Sequence, residues 1–470
     1  MKKIKLFLPA VFFTVSILQA QPVKNPVEHG PLKVSANGRY LIHEDGTPFF
    51  WLGDTGWELF HRLNKDEAES YFKTRAGQGF TVIQAVVLAE FDGLHQPNAF
   101  GNTPLADDDP TKPNDAYFDF VDWCIDKAAS YGLYIGLLPA WGDKVFKDRW
   151  GQGPEIFTVA NARVYGNYLG KRYKNKKNIT WILGGDRLPR NEQDVNIWRA
   201  MAAGIIDGVG DADKALMTYH PQPSATSSSS PWFHRDAWLD FNMLQTGHCR
   251  DEKVWEKISG DYRLQPVKPT LNGEPIYEDH PVCFNAKENG YSDAYDIRKA
   301  AWLSVFAGSF GVTYGCHNVW QFWSPERQEV NRPLRYWYVS LHLPGAGQMK
   351  HLRNLAEKFP SAGRMPDQSV LMDTLSGSQR IQALRGQDYL LVYSAAGEPI
   401  RLNNTKLPGY RQEAYWYDPR TGAYFLTGKT GNMNITIYTP PSKGYNNDWV
   451  LVLFKKEKRY VISSIVAAAK

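Results

Sequence analysis

Two acidic residues each follow a glycine directly at the end of an apolar run. Asp186 ends the run LGGD, and Glu274 ends the run LNGE. Two carboxyls can cleave a glycosidic bond if one protonates the leaving oxygen while the other attacks the anomeric carbon or activates water. The sequence therefore predicts that Asp186 and Glu274 form a catalytic carboxylate pair.

Strand-like and helical segments alternate around these two residues. Strand-like runs lead into Gly53 and then cover residues 80–88, 134–139, 179–185, 215–220, 241–246, 268–274 and 311–315, with helical patterns at 65–77, 117–131, 157–173, 194–208 and 293–307. Eight strands separated by helices predict an α/β fold of the (β/α)8 TIM barrel type. A doubly wound open sheet is the alternative, but no glycine-rich phosphate loop follows the first strand. In the barrel, strands four and seven lie on facing walls and end in Asp186 and Glu274.

Further polar and aromatic residues follow the predicted strand ends, where the active sites of such barrels lie. We expect Asp54 to hydrogen-bond a substrate, or alternatively to cap a helix. Trp57, Trp141 and Trp320 are expected to stack on sugar rings, with core packing as the alternative. His220 and His248 are expected to bind hydroxyl groups or to orient Glu274. Other polar residues of this rim are Glu90, Asp92, Asp143, His317, Asn318 and Gln321, and Gln84 is interpreted as pointing either into the barrel or toward the site.

The sequence predicts neither a metal nor an organic cofactor. His220, His248 and His317 lie on scattered strands, and no His-x-His motif follows the first strand. The four cysteines are far apart and form no CxxC motif. We expect Cys124 to lie in the core, and a disulfide between two of Cys249, Cys283 and Cys316 is an open alternative.

Charge and targeting signals narrow the expected partners and location. Net charge is +5, from 54 Lys and Arg against 49 Asp and Glu, which favours neither nucleic acid nor an anionic membrane as a partner. Residues 1–20 resemble a signal peptide, with three lysines, an apolar run at 6–18 and a small residue at Ala20. We therefore expect a secreted or periplasmic protein without membrane insertion.

A second domain is predicted after the barrel. We assign residues 21–360 to the barrel and 361–470 to a small antiparallel β-sandwich, because short strand-like runs are separated there by turns. These runs cover 380–384, 389–394, 413–417, 423–426, 434–438 and 449–454. No long linker separates the two regions, so they are expected to pack together.

Several motifs resemble known glycosidases. The run KPTLNGE at 268–274 is similar to the strand-seven nucleophile motif of the barrel clan that includes the cellulases, although Gly185-Asp186 stands where that clan usually has Asn-Glu. Over nearly its full length the chain more closely resembles the apiosidase-like glycoside hydrolases of family 140, through FWLGDTGW at 50–57, GGD at 184–186, NGEPIYE at 272–278 and PGAGQM at 344–349. The run WYDPRTG at 416–422 is similar to a module of that family labelled collagen-binding.

The resemblance implies a retaining O-glycosyl hydrolase in which Asp186 is the acid/base and Glu274 the nucleophile. It also implies an exo-acting apiosidase that removes apiose from the plant cell-wall pectin rhamnogalacturonan-II. Glu278 is the alternative nucleophile, since it would face the same side of an extended strand as Glu274. Pro275 is expected to end that strand and to leave Glu278 in a loop. A glycan- or collagen-binding protein with a non-catalytic barrel is the alternative function.

Overall fold

The computed structural model describes residues 25–407, 414–431, 434–455 and 465–466. The predicted signal peptide lies outside these residues. Eight parallel strands form a nearly closed barrel, in the hydrogen-bonding order β5-β4-β3-β2-β1-β8-β7-β6, which confirms the predicted fold. The strands are β1 Trp51–Thr55, β2 Val82–Leu88, β3 Tyr134–Ala140, β4 Ile179–Gly184, β5 Met217–His220, β6 Asn242–Gln245, β7 Thr270–Glu274 and β8 Gly311–Tyr314.

Every residue of the eight strands is buried, because side chains fill the barrel on one face and helices cover the other. The longer helices are α1 Lys65–Gly77, α2 Asp115–Ser130, α3 Val159–Tyr173, α4 Glu192–Val209, α5 Val254–Tyr262, α6 Ala294–Phe306 and α7 Pro344–Lys358. Short helices lie at Leu59–Arg62, Ser230–Phe233, Ala286–Asn289, His317–Trp320 and Trp337–Ser340. Helices α1, α2, α3, α4 and α6 match the predicted positions, whereas α5 and α7 were not predicted.

Short antiparallel strands at the amino end of the barrel close its floor. They are Leu32–Val34, Leu41–His43 and Pro48–Phe49. Leu32, Leu41 and Phe49 share one apolar cluster with interior residues of the barrel such as Trp51. The Tyr134 hydroxyl also donates a hydrogen bond to the Gly30 carbonyl at 2.6 Å. The floor is therefore apolar and packed, and it leaves the opposite end of the barrel for a ligand.

The two ends of the barrel sheet, β5 and β6, meet at a seam without a regular ladder. At its amino end the Met217 carbonyl accepts a hydrogen bond from the Asp240 amide at 2.9 Å, and the Thr218 hydroxyl donates to the Phe241 carbonyl at 2.6 Å. At its carboxyl end, the edge of β6 pairs with the segment Ser227–Ser229 instead of β5. The Gln245 amide donates to the Ser227 carbonyl at 2.9 Å, and the Ser229 amide donates to the Met243 carbonyl at 3.0 Å. A loop segment is therefore inserted into the barrel wall.

The region after the barrel folds into two facing β-sheets, as predicted. The larger sheet has the order Met365–Pro366, Ile381–Arg385, Tyr389–Ser394, Trp449–Phe454, Ala414–Tyr417, Tyr424–Leu426 and Ile465–Val466, and only the last pairing is parallel in the described residues. The smaller antiparallel sheet joins Ile400–Asn403, Ile435–Tyr438 and Thr430–Gly431. Ile400, Leu402 and Tyr438 pack against Leu390, Trp416 and Leu451 between the sheets. The strand Ile400–Asn403 was not predicted.

Helix α6 carries the contact between the two domains. Arg298 forms a buried ion pair with Asp448 at 2.7 Å, and the Trp302 ring stacks on the Tyr393 ring with centroids 5.7 Å apart. The Tyr295 hydroxyl donates to the Ala395 carbonyl at 3.0 Å. The expectation that the domains pack together is therefore confirmed.

Two cysteines are joined across the loops that follow β6 and β7. Cys249 and Cys283 form a disulfide, whereas Cys124 and Cys316 are buried free thiols. The expected core position of Cys124 on α2 is confirmed. No described helix combines the length and apolar character needed to cross a bilayer.

Candidate active site

A cavity of about 590 Å3 opens at the carboxyl ends of the barrel strands. Asp186 and Glu274 both line it, as the strand pattern predicts. Most of the other lining side chains are aromatic or polar. They include Trp57, Glu90, Phe91, Trp141, Trp150, Gln152, Gln245, His248, Tyr277, His280, Phe284 and Trp320. The volume lies within the range of sites for small ligands.

Glu274 is the last residue of β7, and two histidines hold its carboxylate. His220 Nε2 lies 2.9 Å from Glu274 Oε2, and His248 Nε2 lies 3.2 Å from Oε1. Burial alone would raise the pKa of Glu274, but the two histidines beside its carboxylate outweigh burial and lower the pKa to about 2. Glu274 is therefore ionised at neutral pH and able to act as a nucleophile.

Asp186 sits on a tight turn that requires the two glycines before it. Gly184, Gly185 and Asp186 all have positive φ, at 81°, 129° and 51°. A Cβ atom on Gly185 would lie 2.6 Å from the Trp141 ring. Aspartate is one of the few non-glycine residues that adopt this backbone conformation readily. The run LGGD thus turns the chain sharply at the end of β4 and presents the Asp186 carboxyl to the cavity.

The surroundings of Asp186 favour its protonated form. Burial raises the pKa of the Asp186 carboxyl, and the negative charge of Glu274 raises it further, to about 6, against the opposing effects of Arg187, His220 and Gln245. Two carboxyls in one cavity whose pKa values are displaced in opposite directions can divide the roles of proton donor and nucleophile.

The three predicted tryptophans line the cavity but differ little in burial. Trp57, Trp141 and Trp320 are 3%, 3% and 8% exposed. Trp57 and Trp141 pack against each other with centroids 5.3 Å apart, and Trp57 also contacts the His220 ring edge-on at 5.3 Å. These rings both shape the cavity and support the groups that hold Glu274.

Asp54 and His220 occupy different places from those expected of substrate-binding residues. The Asp54 carboxylate is fully buried, where it accepts hydrogen bonds from Arg75 Nε at 2.6 Å and from the Tyr71 hydroxyl, and it does not line the cavity. The expectation of a substrate contact for Asp54 is therefore corrected, because its carboxylate is already bound to α1. His220 is fully buried behind Glu274, which agrees with an orienting role and not with a hydroxyl contact.

Glu278 does not line the cavity, and its carboxylate is held by other parts of the protein. Its carboxylate accepts hydrogen bonds from the Tyr314 hydroxyl at 2.6 Å and from the Gly345 amide at 2.9 Å, at the start of α7. Gln84 points into the barrel, where its Nε2 donates to the Gly273 carbonyl at 3.1 Å. Glu278 thus anchors a helix, and Gln84 supports the residue before Glu274.

Sequence reasoning missed several cavity residues. Trp150, Gln152 and His280 lie in loops, and Phe284 ends the short 3-10 helix Val282–Phe284. No local sequence pattern predicts the course of these segments. Gln245 and Tyr277 stand near strand ends, so the rule that chemistry lies at the carboxyl ends of strands could have found them. Glu90, one of the predicted rim residues, also lines the cavity.

Three histidines pack together beside the cavity without forming a metal site. The His248 and His280 rings stack with centroids 4.2 Å apart, and His280 contacts the His317 ring at 4.6 Å. Burial lowers the pKa of His280 well below its ordinary value and that of His317 to about 4, so both are neutral. In the described part of the chain no cluster of three or more His, Cys, Asp or Glu is arranged to hold a metal ion.

Comparisons with known proteins agree with this geometry. Residues 35–362 match the family model described as "Apiosidase-like, catalytic domain", and residues 365–454 match a model of the "collagen-binding domain of a collagenase". A solved structure described as a glycoside hydrolase is 36% identical, with a TM-score of 0.84, over 94% of this chain and 100% of that one. A glycoside hydrolase family 5 structure from Bacteroides vulgatus is 34% identical, with a TM-score of 0.85, over 94% and 98% of the two chains. No curated protein sequence matches significantly. The chain belongs to the apiosidase-like family of glycoside hydrolases.

Proposed function

We propose that the protein is an exported, retaining, exo-acting apiosidase that removes terminal apiose from side chains of rhamnogalacturonan-II. The observation that supports this most directly is the opposite displacement of the pKa values of Asp186 and Glu274 within one cavity. A cavity of about 590 Å3 closed by an apolar floor suits the end of a sugar chain better than its middle. The apiose and pectin parts of the proposal rest on the family resemblance.

The proposed reaction is a double displacement. A Glu274 carboxylate oxygen attacks the anomeric carbon, the bond from that carbon to the leaving oxygen breaks, and Asp186 gives its proton to that oxygen. Water then attacks the same carbon and loses a proton to the Asp186 carboxylate. The glycosyl ester bond breaks, which releases the sugar and restores ionised Glu274 and protonated Asp186.

Hydrolysis assays with matched variants test the proposal. Rhamnogalacturonan-II fragments and a panel of aryl glycosides, including an apioside, are incubated with the wild type, Asp186→Ala and Glu274→Ala. We expect the wild type to release one sugar and both variants to lose several orders of magnitude in kcat. Glu278→Gln is the control, because Glu278 anchors α7 and keeps hydrogen-bonding capacity as a glutamine. Activity that survives in Glu274→Ala but not in Glu278→Gln would contradict the assignment.

Export is supported by the basic and apolar pattern of residues 1–20 and by the Cys249–Cys283 disulfide, which suits an oxidising compartment. Mass spectrometry of the protein recovered from periplasm or medium is expected to find a chain that begins at Gln21. A full-length chain retained in the cytoplasm would contradict it.

A glycan- or collagen-binding function is the second candidate, and the match of residues 365–454 favours it. It predicts that the full chain is retained on collagen or on pectic polysaccharide even when both carboxyls are replaced. If only the wild type releases sugar and the chain is not retained on collagen, the binding function is contradicted. The C-terminal domain would then serve to support the barrel.

A further inference from the structure

Trp150 is an exposed aromatic side chain on the wall of the catalytic cavity. It is 48% exposed, in contrast to the buried rings of Trp57, Trp141 and Trp320. Unlike most of the other exposed apolar side chains, Trp150 lines the catalytic cavity, where the flat face of its ring can stack on a bound ligand. Trp150 lies in the loop after β3, in the sequence DRW at 148–150.

The loop that carries Trp150 is held in place by Arg187. This buried side chain donates from Nε to the Phe146 carbonyl at 2.9 Å and from Nη2 to the Lys147 carbonyl at 3.1 Å. The Arg187 guanidinium also lies over the Trp150 ring, with its Cζ 4.9 Å from the centroid. One side of the indole thus rests on Arg187, and the ring is preorganised on the cavity wall.

Trp150 is also bonded to Asp186. Its Nε1 donates to Asp186 Oδ2 at 3.2 Å, and Arg187 Nη1 approaches the same oxygen at 3.4 Å. Donors at Oδ2 disfavour a proton on that oxygen, so the acidic proton is placed on Oδ1. Besides burial, the charge of Glu274 raises the pKa of Asp186, whereas the charge of His220 and a hydrogen bond with Gln245 lower it. The charge of Asp186 in turn adds to the effect of burial in raising the pKa of the neighbouring Glu90.

We infer that Trp150 forms the leaving-group site, stacking on the first sugar ring beyond the cleaved bond while its Nε1 orients the acid/base Asp186. The inference rests on the proposed roles of Asp186 and Glu274. In a double displacement the acid/base carboxyl lies beside the leaving oxygen, so a residue bonded to that carboxyl lies beside the leaving group. The ligand that fits this site is an oligosaccharide whose first sugar beyond the cleaved bond presents a C–H face to the Trp150 ring.

Two substitutions separate the two contributions of Trp150. Trp150→Phe keeps an aromatic ring and removes the Nε1 donor, whereas Trp150→Ala removes both. On an oligosaccharide substrate we expect Trp150→Ala to lower kcat/KM by roughly 10- to 100-fold, and Trp150→Phe to lose clearly less. On the glycosyl fluoride of the released sugar, which has no leaving ring to stack, the loss in Trp150→Ala should be about ten times smaller. Trp123→Phe is the matched control for loss of an indole, because Trp123 is half-buried on α2 and does not line the cavity.

The hydrogen bond from Trp150 Nε1 to Asp186 predicts a change in the pH dependence of kcat/KM. A purely structural role of Trp150 predicts no such change. Because Nε1 favours the ionised form of Asp186, its removal in Trp150→Phe raises the pKa of Asp186, and the basic limb of kcat/KM moves to higher pH by roughly half a unit or more. Carboxyl-carbon NMR of aspartate-labelled protein, with the Asp186 signal identified by Asp186→Asn, measures the same pKa without any substrate.

Equal losses on the oligosaccharide and the fluoride, or an unchanged pKa of Asp186 in Trp150→Phe, would overturn the inference. Failure of the proposed function is a different outcome, because the wild type itself would then release no sugar. The NMR titration still decides whether Trp150 acts on Asp186 in that case.

Discussion

The two carboxyls of the cavity differ in their neighbours, and this difference predicts a pH profile. Activity requires ionised Glu274 and protonated Asp186. It therefore rises with pH through the pKa of Glu274, about 2, and falls as pH rises through the pKa of Asp186, about 6. We expect kcat/KM to be bell-shaped with its maximum on the acidic side of neutrality. Measurement from about pH 3 to about pH 9 covers the plateau and the basic limb, whose midpoint is expected at about pH 6, whereas the acidic limb lies below this range. In Asp186→Asn the basic limb should disappear, and its persistence would contradict the assignment of Asp186.

Glu90 is a third carboxyl on the cavity wall, and we predict that it is neutral. Burial raises its pKa well above the ordinary value, and the charges of Glu58, Asp186 and Asp143 raise it further. Glu90→Gln conserves shape and neutrality, so kcat/KM should stay within about threefold of the wild type. The same substitution at Glu274, where an anion is required, should abolish activity. A loss in Glu90→Gln as large as in Glu274→Gln would mean that Glu90 acts as an anion or a proton donor.

At the scale of elements, the turn after β4 predicts that replacing Gly184 by alanine destabilises the protein more than the same replacement at an open turn. Gly184 and Gly210 have the same φ of 81°, but a Cβ on Gly184 would lie 2.7 Å from the Tyr219 ring and against the His220 carbonyl, whereas nothing lies within 4 Å of one on Gly210. Gly210→Ala should cost about 1 kcal/mol from backbone strain alone. Gly184→Ala should cost about 2 kcal/mol more and lower kcat, because it displaces Asp186. Urea unfolding and assays of both variants check this, and equal effects would contradict it.

The eight barrel strands could be predicted from sequence because they are short segments that alternate with helical patterns, and the longer ones are apolar throughout most of their length. Helices α5 and α7 could not, since neither begins with a capping side chain of its own. The cap of α7 is Glu278, 67 residues earlier in the chain. The same limit applies to Asp54, whose partner Arg75 lies 21 residues away. The strand ends thus identify which residues are near the site, but long-range partners decide which of them face the cavity.

At the scale of the whole molecule, the buried ion pair between Arg298 and Asp448 links the stability of the two domains. Arg298 is 1% exposed and Asp448 fully buried, so removal of the aspartate leaves an uncompensated charge inside the interface. Asp448→Ala should lower the free energy of unfolding by about 3–5 kcal/mol. Asp207→Ala is the control, because its pair with Arg163 is exposed and should contribute less than about 1 kcal/mol. Urea unfolding measures both, and similar effects would contradict the structural role of the interface.

The segment Ser227–Ser229, which lies between β5 and β6, forms a part of the barrel wall that can change in length without altering the pairing of the strands. Ser227–Ser229 covers the edge of β6 beside Gln245, and Gln245 lines the cavity. A residue gained or lost in a regular ladder shifts every side chain beyond it to the other face. A residue gained or lost between His220 and Ser227 is absorbed by the loop instead. Length variation in this segment therefore offers related enzymes a route to reshape the sugar pocket while Asp186 and Glu274 stay in place.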